Sequence, residues 1–395
     1  MSKYYSYLNT ARELLQQYKG NEPLSSFLKK FFSLNKKYGS KDRKQISNLC
    51  YSYFRMGKMK ADMPVEERII MGLFLCSHES NEIVQLVRPG WNEKIALPLN
   101  EKLSLLNAAS SFEDIFPFSN EVSTGIEKSS FILSHLQQPG VFLRLRPGKE
   151  DTAKKKLKNA EIDFQIISGT CLALPNASKI DTAIELNREA VVQDHSSQRV
   201  GEFFLLISGA QPLTVWDCCA ASGGKSIMLY DLYQDIELTV SDIRESILVN
   251  LKKRFSDAGI TKYKSFVADL AASDFRLRTA DMPVRQAGFQ FILADVPCSG
   301  SGTWSRTPEQ LYYFENEKVN EYVSLQKKIL ANVITHLQPG GHLLYITCSV
   351  FKKENEDVVD FIIQNFNIQL IKMEVLKGYD KKADTMFAAL LQKPL

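Results

Sequence analysis

The chain is short of several things, and each shortage excludes something. No stretch approaches the ~18 uninterrupted apolar residues of a membrane-spanning helix, so none is expected among its 395 residues. The opening "MSKYYSYLNTARELLQQYKG" has neither an apolar core nor a small-residue cleavage site. It does not read as a signal peptide, and the cytoplasm is the expected compartment. There are seven cysteines, an odd number: Cys50, Cys76, Cys171, Cys218, Cys219, Cys298 and Cys348. No two are spaced Cys-x-x-Cys, so neither a disulfide framework nor a zinc site is expected, and no other metal. Acidic residues are scarce at one end. Residues 1–60 hold 13 Lys+Arg against 3 Asp+Glu. Basic residues set among aromatics, as in "FLKKFFSLNKKYGSKDRK" (27–44), suit a polyanion such as nucleic acid. A solvated helix face is the plainer alternative.

What is present divides into three parts. Apolar residues recur at helical spacing in "PLSSFLKKFFSL", "KQISNLCYSYFRM" and "PVEERIIMGLFLCS", which predicts a helical domain over 1–135. A small α+β module is expected over 137–190. It has strands in "VFLRLRP", "IDFQIIS", "CLALP" and "TAIEL" and a helix in "EDTAKKKLKNA". From 191 to 395 the pattern becomes β/α alternation. Strands are expected at 213–219, 236–242, 264–269, 289–295, 342–347, 368–374 and 386–392, with helices at 224–234, 244–258, 321–337 and 354–365. Near-continuous apolar strands of this kind predict a seven-stranded, mainly parallel sheet covered on both faces.

In such sheets ligands bind beyond the carboxyl ends of the strands. There the sequence places Asp217, Asp242, Asp269 and Asp295 on four successive strands, and Thr347-Cys348 on the fifth. Helix capping explains one such aspartate more simply than four. After the first strand stands "DCCAASGGKS" (217–226). Its Gly224-Lys225-Ser226 imitates the end of a P-loop, but that motif needs glycine at position 219, which is Cys219. A glycine turn followed about 20 residues later by an acid, Asp242, instead fits a nucleoside whose ribose the carboxylate holds. Two cysteines, Cys298 in "DVPCSGSG" and Cys348 in "YITCS", close neighbouring strands. Paired thiols there favour covalent chemistry over plain burial, and either could be the nucleophile.

These motifs make the chain recognisable. "DCCAASGGKS", "DVPCSGSG", "YITCSVFKKENEDVV" and "VVQDHSSQ" resemble those of the RsmB/Sun (Fmu) family of RNA cytosine-5 methyltransferases. "SKDRKQISNLCYSYFR" (40–55) is similar to that family's NusB-like helical domain, and "FLRLRP" (142–147) to its Arg-x-Asn segment. The resemblance implies a Rossmann-like class I methyltransferase domain, preceded by an all-α NusB-like domain and a small α+β module. It implies S-adenosylmethionine as cofactor and RNA as partner, 16S rRNA first, with monomer the default state. It implies that Cys348 attacks carbon 6 of a cytosine and that Cys298 assists release. Asp295 would contact cofactor and base, Asp242 the ribose and Asp269 the adenine amine. Cys219, Ala220, Ala221, Ser222, Gly223, Gly224 and Lys225 would line the methionine part, Lys225 also nearing the chemistry. Arg306, Arg144, Arg146, Arg43 and Arg55 would meet RNA. Three departures stand out: Ser222 replaces a proline, Arg146 an asparagine, and Thr385-Met386 a Gly-Phe pair. A tRNA target, a non-catalytic ribosome-assembly factor and a DNA methyltransferase remain alternatives.

Overall fold

The computed structural model describes residues 3–207, 212–233, 235–277 and 288–395. The last residue of the helix expected over 224–234 lies outside them. The chain divides into two compact units. One comprises Met1–Val122, Ile126–Pro139 and Thr303–Asn316; the other comprises Ser123–Gly125, Gly140–Gly302 and Glu317–Leu395.

The first unit is helical. Helix Leu24–Leu34 buries Leu24, Leu28 and Phe32, one side chain per turn. Helix Ser40–Arg55 starts where Asp42 accepts the N–H of Gly39 at 2.8 Å, and it buries Ile46, Leu49, Cys50 and Phe54. The segment Thr303–Asn316 was expected in the catalytic domain. Its fully buried Trp304 packs on Phe116 and Phe314. Glu309 accepts the N–H of Leu24 at 3.0 Å, and the Tyr313 hydroxyl donates to the Tyr18 carbonyl at 3.0 Å. Aromatic burial anchors this excursion in the helical unit.

The second unit holds two sheets. The smaller contains β1 (Val141–Leu145), β2 (Gln165–Ile166), β3 (Cys171–Leu174) and β4 (Ala190–Val192), in the order β2-β3-β1-β4 and all antiparallel. "TAIEL" forms no strand; Leu186 makes only an isolated bridge to Ala190. β4 completes the sheet instead, pairing Val192 with Leu143. The boundary expected at 190/191 therefore runs through a strand, and 140–190 belongs to the same unit as the large sheet. A buried ion cluster joins them. Asp231, on helix Gly224–Leu232, takes Arg144 Nη1 at 2.6 Å and Arg146 Nη2 at 2.7 Å.

The larger sheet contains β5 (Leu213–Asp217), β6 (Ile236–Asp242), β7 (Tyr263–Val267), β8 (Phe289–Asp295), β9 (Leu337–Thr347), β10 (Gln369–Leu376) and β11 (Met386–Gln392). Their order is β10-β11-β9-β8-β5-β6-β7. Pairs β5–β6, β6–β7, β5–β8 and β8–β9 are parallel; β11 runs antiparallel to both neighbours. Alternate residues serve opposite cores, as a pleated strand requires. Val215 joins Ile227, Leu251 and Phe255, whereas Trp216 joins Ile292, Leu330 and Val358. The strand order reverses between β5 and β8, so a crevice is expected above Asp217 and Asp295.

Candidate active site

The crevice is there, and the glycine turn after β5 forms one wall. Ala221 (φ +46°) and Gly223 (φ +79°) both take left-handed backbone. A Cβ at Gly223 would lie 2.6 Å from Phe255, so only glycine lets the turn sit this close to helix Glu245–Asp257. Asp242 ends β6 and accepts the Ala221 N–H at 3.0 Å through one oxygen. Its other oxygen takes the Arg244 N–H at 2.9 Å. The acid that closes the second strand thus also fixes the glycine turn.

A cavity of about 470 Å³ opens between these elements. Its walls include Cys219, Ala221, Asp242, Asp269, Asp295 and Cys348, with Ile243, Leu270 and Ile329 as apolar surface. Carboxylates over an apolar slot fit an adenosine: the slot takes the base, and Asp242 is placed for a ribose diol. The residues present therefore fit S-adenosylmethionine. Asp269 stands two residues beyond the end of β7, exposed, and accepts the Ala271 N–H at 2.9 Å.

At the far side are the two cysteines. Cys298 and Cys348 lie with their sulfurs 3.3 Å apart. The parallel pairing of Asp295 with Ile346 brings their loops together. Glu354, fully buried, ties these loops to each other. It accepts the Ser299 N–H at 2.8 Å, the Ser299 hydroxyl at 2.6 Å and the Ser349 hydroxyl at 2.5 Å. Asn355 adds a bond from the Thr347 hydroxyl (2.5 Å) and donates to the Ser349 carbonyl at 3.0 Å. The serine after each cysteine is thus tied to the same buried carboxylate.

Lys225, in the first turn after the glycines, donates to Asp295 at 2.6 Å. Burial alone would lower its pKa, but the charge and hydrogen bond of Asp295 outweigh that and hold it above the ordinary value; Cys348 adds to the effect. The Cys298 thiol is pushed well up by its hydrogen bond with Cys348, by burial, and by the charges of Cys348 and Glu354.

Three arginines expected at RNA are turned inward, and that expectation is corrected. Arg55 is 3% exposed and donates to the carbonyls of His135, Gln137 and Ser305. Arg144 and Arg146 are held by Asp231, and Arg146 also donates to the carbonyls of Asn187 (3.0 Å) and Ala258 (2.7 Å). These guanidiniums are engaged inside the fold, although Arg144 Nη2 has no hydrogen-bond partner. Arg43 is exposed, and Arg306 is half-buried. Arg254, which no motif singled out, donates to the Ser222 carbonyl at 2.9 Å and hydroxyl at 2.7 Å.

The sheet order and glycine turn define a Rossmann-like fold of the class I methyltransferase type. Residues 206–391 match the family model for "16S rRNA methyltransferase RsmB/F". The chain is 29% identical over 210 residues to ribosomal RNA small subunit methyltransferase B of Xanthomonas campestris pv. campestris, covering 50% of this chain and 45% of that protein. It is 30% identical over 221 residues to the protein of the same name from Shewanella oneidensis, covering 52% and 49%. The chain thus matches about half the length of these relatives. The crystal structure of PH0851 is similar over 97% of both chains, with a TM-score of 0.68 and 19% identity, a likeness of fold. Among the described residues no helix is long and apolar enough to cross a membrane.

Proposed function

We propose that this protein transfers a methyl group from S-adenosylmethionine to carbon 5 of a cytosine in RNA, with 16S rRNA as the target its relatives' names suggest. The observation that carries the proposal is the pair of sulfurs 3.3 Å apart, beside the Lys225–Asp295 ion pair and at the mouth of the nucleoside cavity.

Carbon 5 of cytosine is a poor nucleophile until something adds at carbon 6. Cys348, as thiolate, forms a bond to carbon 6, and the ring's electrons move to carbon 5. The cofactor supplies an electrophilic methyl group, which carbon 5 takes. A base then removes the carbon 5 proton, the ring electrons return, and the bond from Cys348 to carbon 6 breaks. Cys298, whose pKa is pushed well up, stands next to the departing sulfur and assists this elimination. Lys225 favours the thiolate by its charge. Asp295, ion-paired to Lys225, is an acceptor suited to the exocyclic amine of cytosine. The target base is splayed from its stack to reach Cys348. The helical unit holds the flanking RNA through exposed Lys29, Lys36, Lys37, Lys41, Arg43 and Lys44, which makes affinity fall with salt.

Two variants test the chemistry. Cys348→Ala abolishes methyl transfer. Cys298→Ala traps the adduct, seen as RNA migrating slowly with protein on a denaturing gel. Activity surviving in Cys348→Ala sinks the assignment of the nucleophile. Bisulfite sequencing of total RNA with and without the protein identifies the cytosine, and tritium transfer to duplex DNA rather than RNA would overturn the substrate class.

A further inference from the structure

We infer that Arg254 is a positioning residue for the cofactor turn, clasping Ser222 and itself aimed by Asn187 of the small module. The inference rests on the proposal that the turn and its cavity hold S-adenosylmethionine.

The turn has a conformation that must be held. Ala221 is left-handed although it carries a Cβ, a state that sterics disfavour. Three backbone donors are accounted for on the crevice side or within the turn. The Ala220 N–H reaches the Ser241 carbonyl at 2.9 Å, the Ala221 N–H reaches Asp242 at 3.0 Å, and the Gly223 N–H reaches the Ala220 carbonyl at 2.8 Å. Ser222 is served from elsewhere. Arg254 Nη1 donates to its carbonyl at 2.9 Å and to its hydroxyl at 2.7 Å. Both bonds are charge-assisted, and they fix the peptide between the two left-handed residues.

Arg254 is itself oriented. Its Nε donates to Asn187 Oδ1 at 3.0 Å. Asn187 is left-handed too (φ +67°), and its carbonyl takes Arg146 Nη1 at 3.0 Å. A continuous chain, Arg146–Asn187–Arg254–Ser222, therefore runs from the small sheet to the cofactor turn. It links two of the three positions where this sequence departs from the pattern it resembles. A proline at 222 would keep the carbonyl but offer Arg254 no hydroxyl, so the hydroxyl half of this clasp is specific to the serine.

The test is calorimetric titration of the full chain with S-adenosylmethionine, alongside filter binding to RNA, for wild type, Ser222→Ala, Arg254→Lys, Arg254→Gln and the double variant Ser222→Ala/Arg254→Gln. Loss of a charged hydrogen-bond donor predicts a cofactor Kd raised about tenfold in Arg254→Gln. Ser222→Ala, which loses only the hydroxyl bond, is raised about threefold. Arg254→Lys falls between, because an ammonium cannot serve Asn187 and Ser222 in one fork. The double variant is no weaker than Arg254→Gln, since the hydroxyl has lost its partner already. RNA affinity stays with wild type throughout. Equal cofactor affinity in Arg254→Gln and wild type overturns the inference, as does a proportional loss of RNA affinity, which marks general damage. If Arg254→Gln does not fold, unchanged affinity in Ser222→Ala overturns it alone. Failure of the wild type to bind the cofactor overturns the site assignment, and this inference with it.

Discussion

Asp217→Asn is the most informative single change for the sheet beneath the site. Asp217 ends β5, is 1% exposed, and takes the Ser226 hydroxyl on one oxygen at 2.5 Å. Its other oxygen has no partner. Burial pushes its pKa from 3.8 to about 7; the Ser226 bond and Lys225 oppose the rise, and the charges of Asp295 and Asp242 add to it. A folded-state pKa above the unfolded one means that the native state binds more protons between the two values. Stability is then highest near pH 4 and declines as pH rises towards 7. Three units correspond to about 4 kcal/mol over that window, from ~1.4 kcal/mol per unit. This is a large share of the ~5–15 kcal/mol by which domains are stable.

Asparagine cannot ionise, so the variant loses this slope. It gains an N–H beside the unpartnered position, at a pH-independent cost of about 1–3 kcal/mol. Urea denaturation of both proteins at pH 5, 6, 7 and 8 separates the two effects. The variant should be the less stable at pH 5 and should gain on the wild type by ~1 kcal/mol or more per pH unit up to pH 7. Parallel stability profiles would refute the claim that Asp217 is forced towards neutrality by burial.

Gly302→Ala should lower both melting temperature and methyl transfer. A Cβ there would lie 1.9 Å from the Thr385 carbonyl oxygen and 3.0 Å from that of Cys348, whose carbonyl the Gly302 N–H caps at 2.9 Å. A variant with normal melting and turnover would show that this contact is not tight. Glu354→Gln should cost about 2 kcal/mol, since the Ser299 N–H loses a charged acceptor while the hydroxyls can turn to Ser301 and to one another. Its turnover should fall by tenfold or more with cofactor affinity little changed, as single-turnover kinetics and calorimetry would show; equal losses in both would place Glu354 outside the positioning of the cysteines.

Much of the large sheet was legible, because buried parallel strands announce themselves as continuous apolar runs. β6, β8 and β11 occupy the expected residues, and Asp242, Asp269, Asp295 and Cys348 line one cavity, whereas Asp217 is buried beneath it. Legibility failed where a residue's partner is distant in sequence. Arg144 and Arg146 sit in "FLRLRP" like surface basic residues, yet Asp231, more than eighty positions on, turns them inward. Arg55 is claimed by the Ser305 carbonyl, 250 positions away. Segment 303–316 reads as part of the β/α alternation, but Trp304 and Tyr313 commit it to the helical unit. "TAIEL" has strand composition and still loses to "AVV", because β1 offers a single free edge and β4 takes it.

The two cysteines are alike in sequence and nearly alike in exposure, so the distinction between them must come from their surroundings. Glu354 lies behind the serine that follows Cys298, and its charge helps push that thiol's pKa up. Lys225 lies where its ammonium interacts with Cys348, and it is kept protonated by Asp295 against the pull of burial. A negative group acting on one sulfur and a positive group on the other set up a field across the 3.3 Å between them. Charges of opposite sign thus act on the two sulfurs of one pair, and this distinguishes them electrostatically. The asymmetry reaches further, since Lys225 opens helix Gly224–Leu232 directly after the turn that Arg254 clasps. The turn proposed to seat the cofactor thus also places this cation, so under the proposed mechanism a loosened turn should slow methyl transfer as well as weaken cofactor binding.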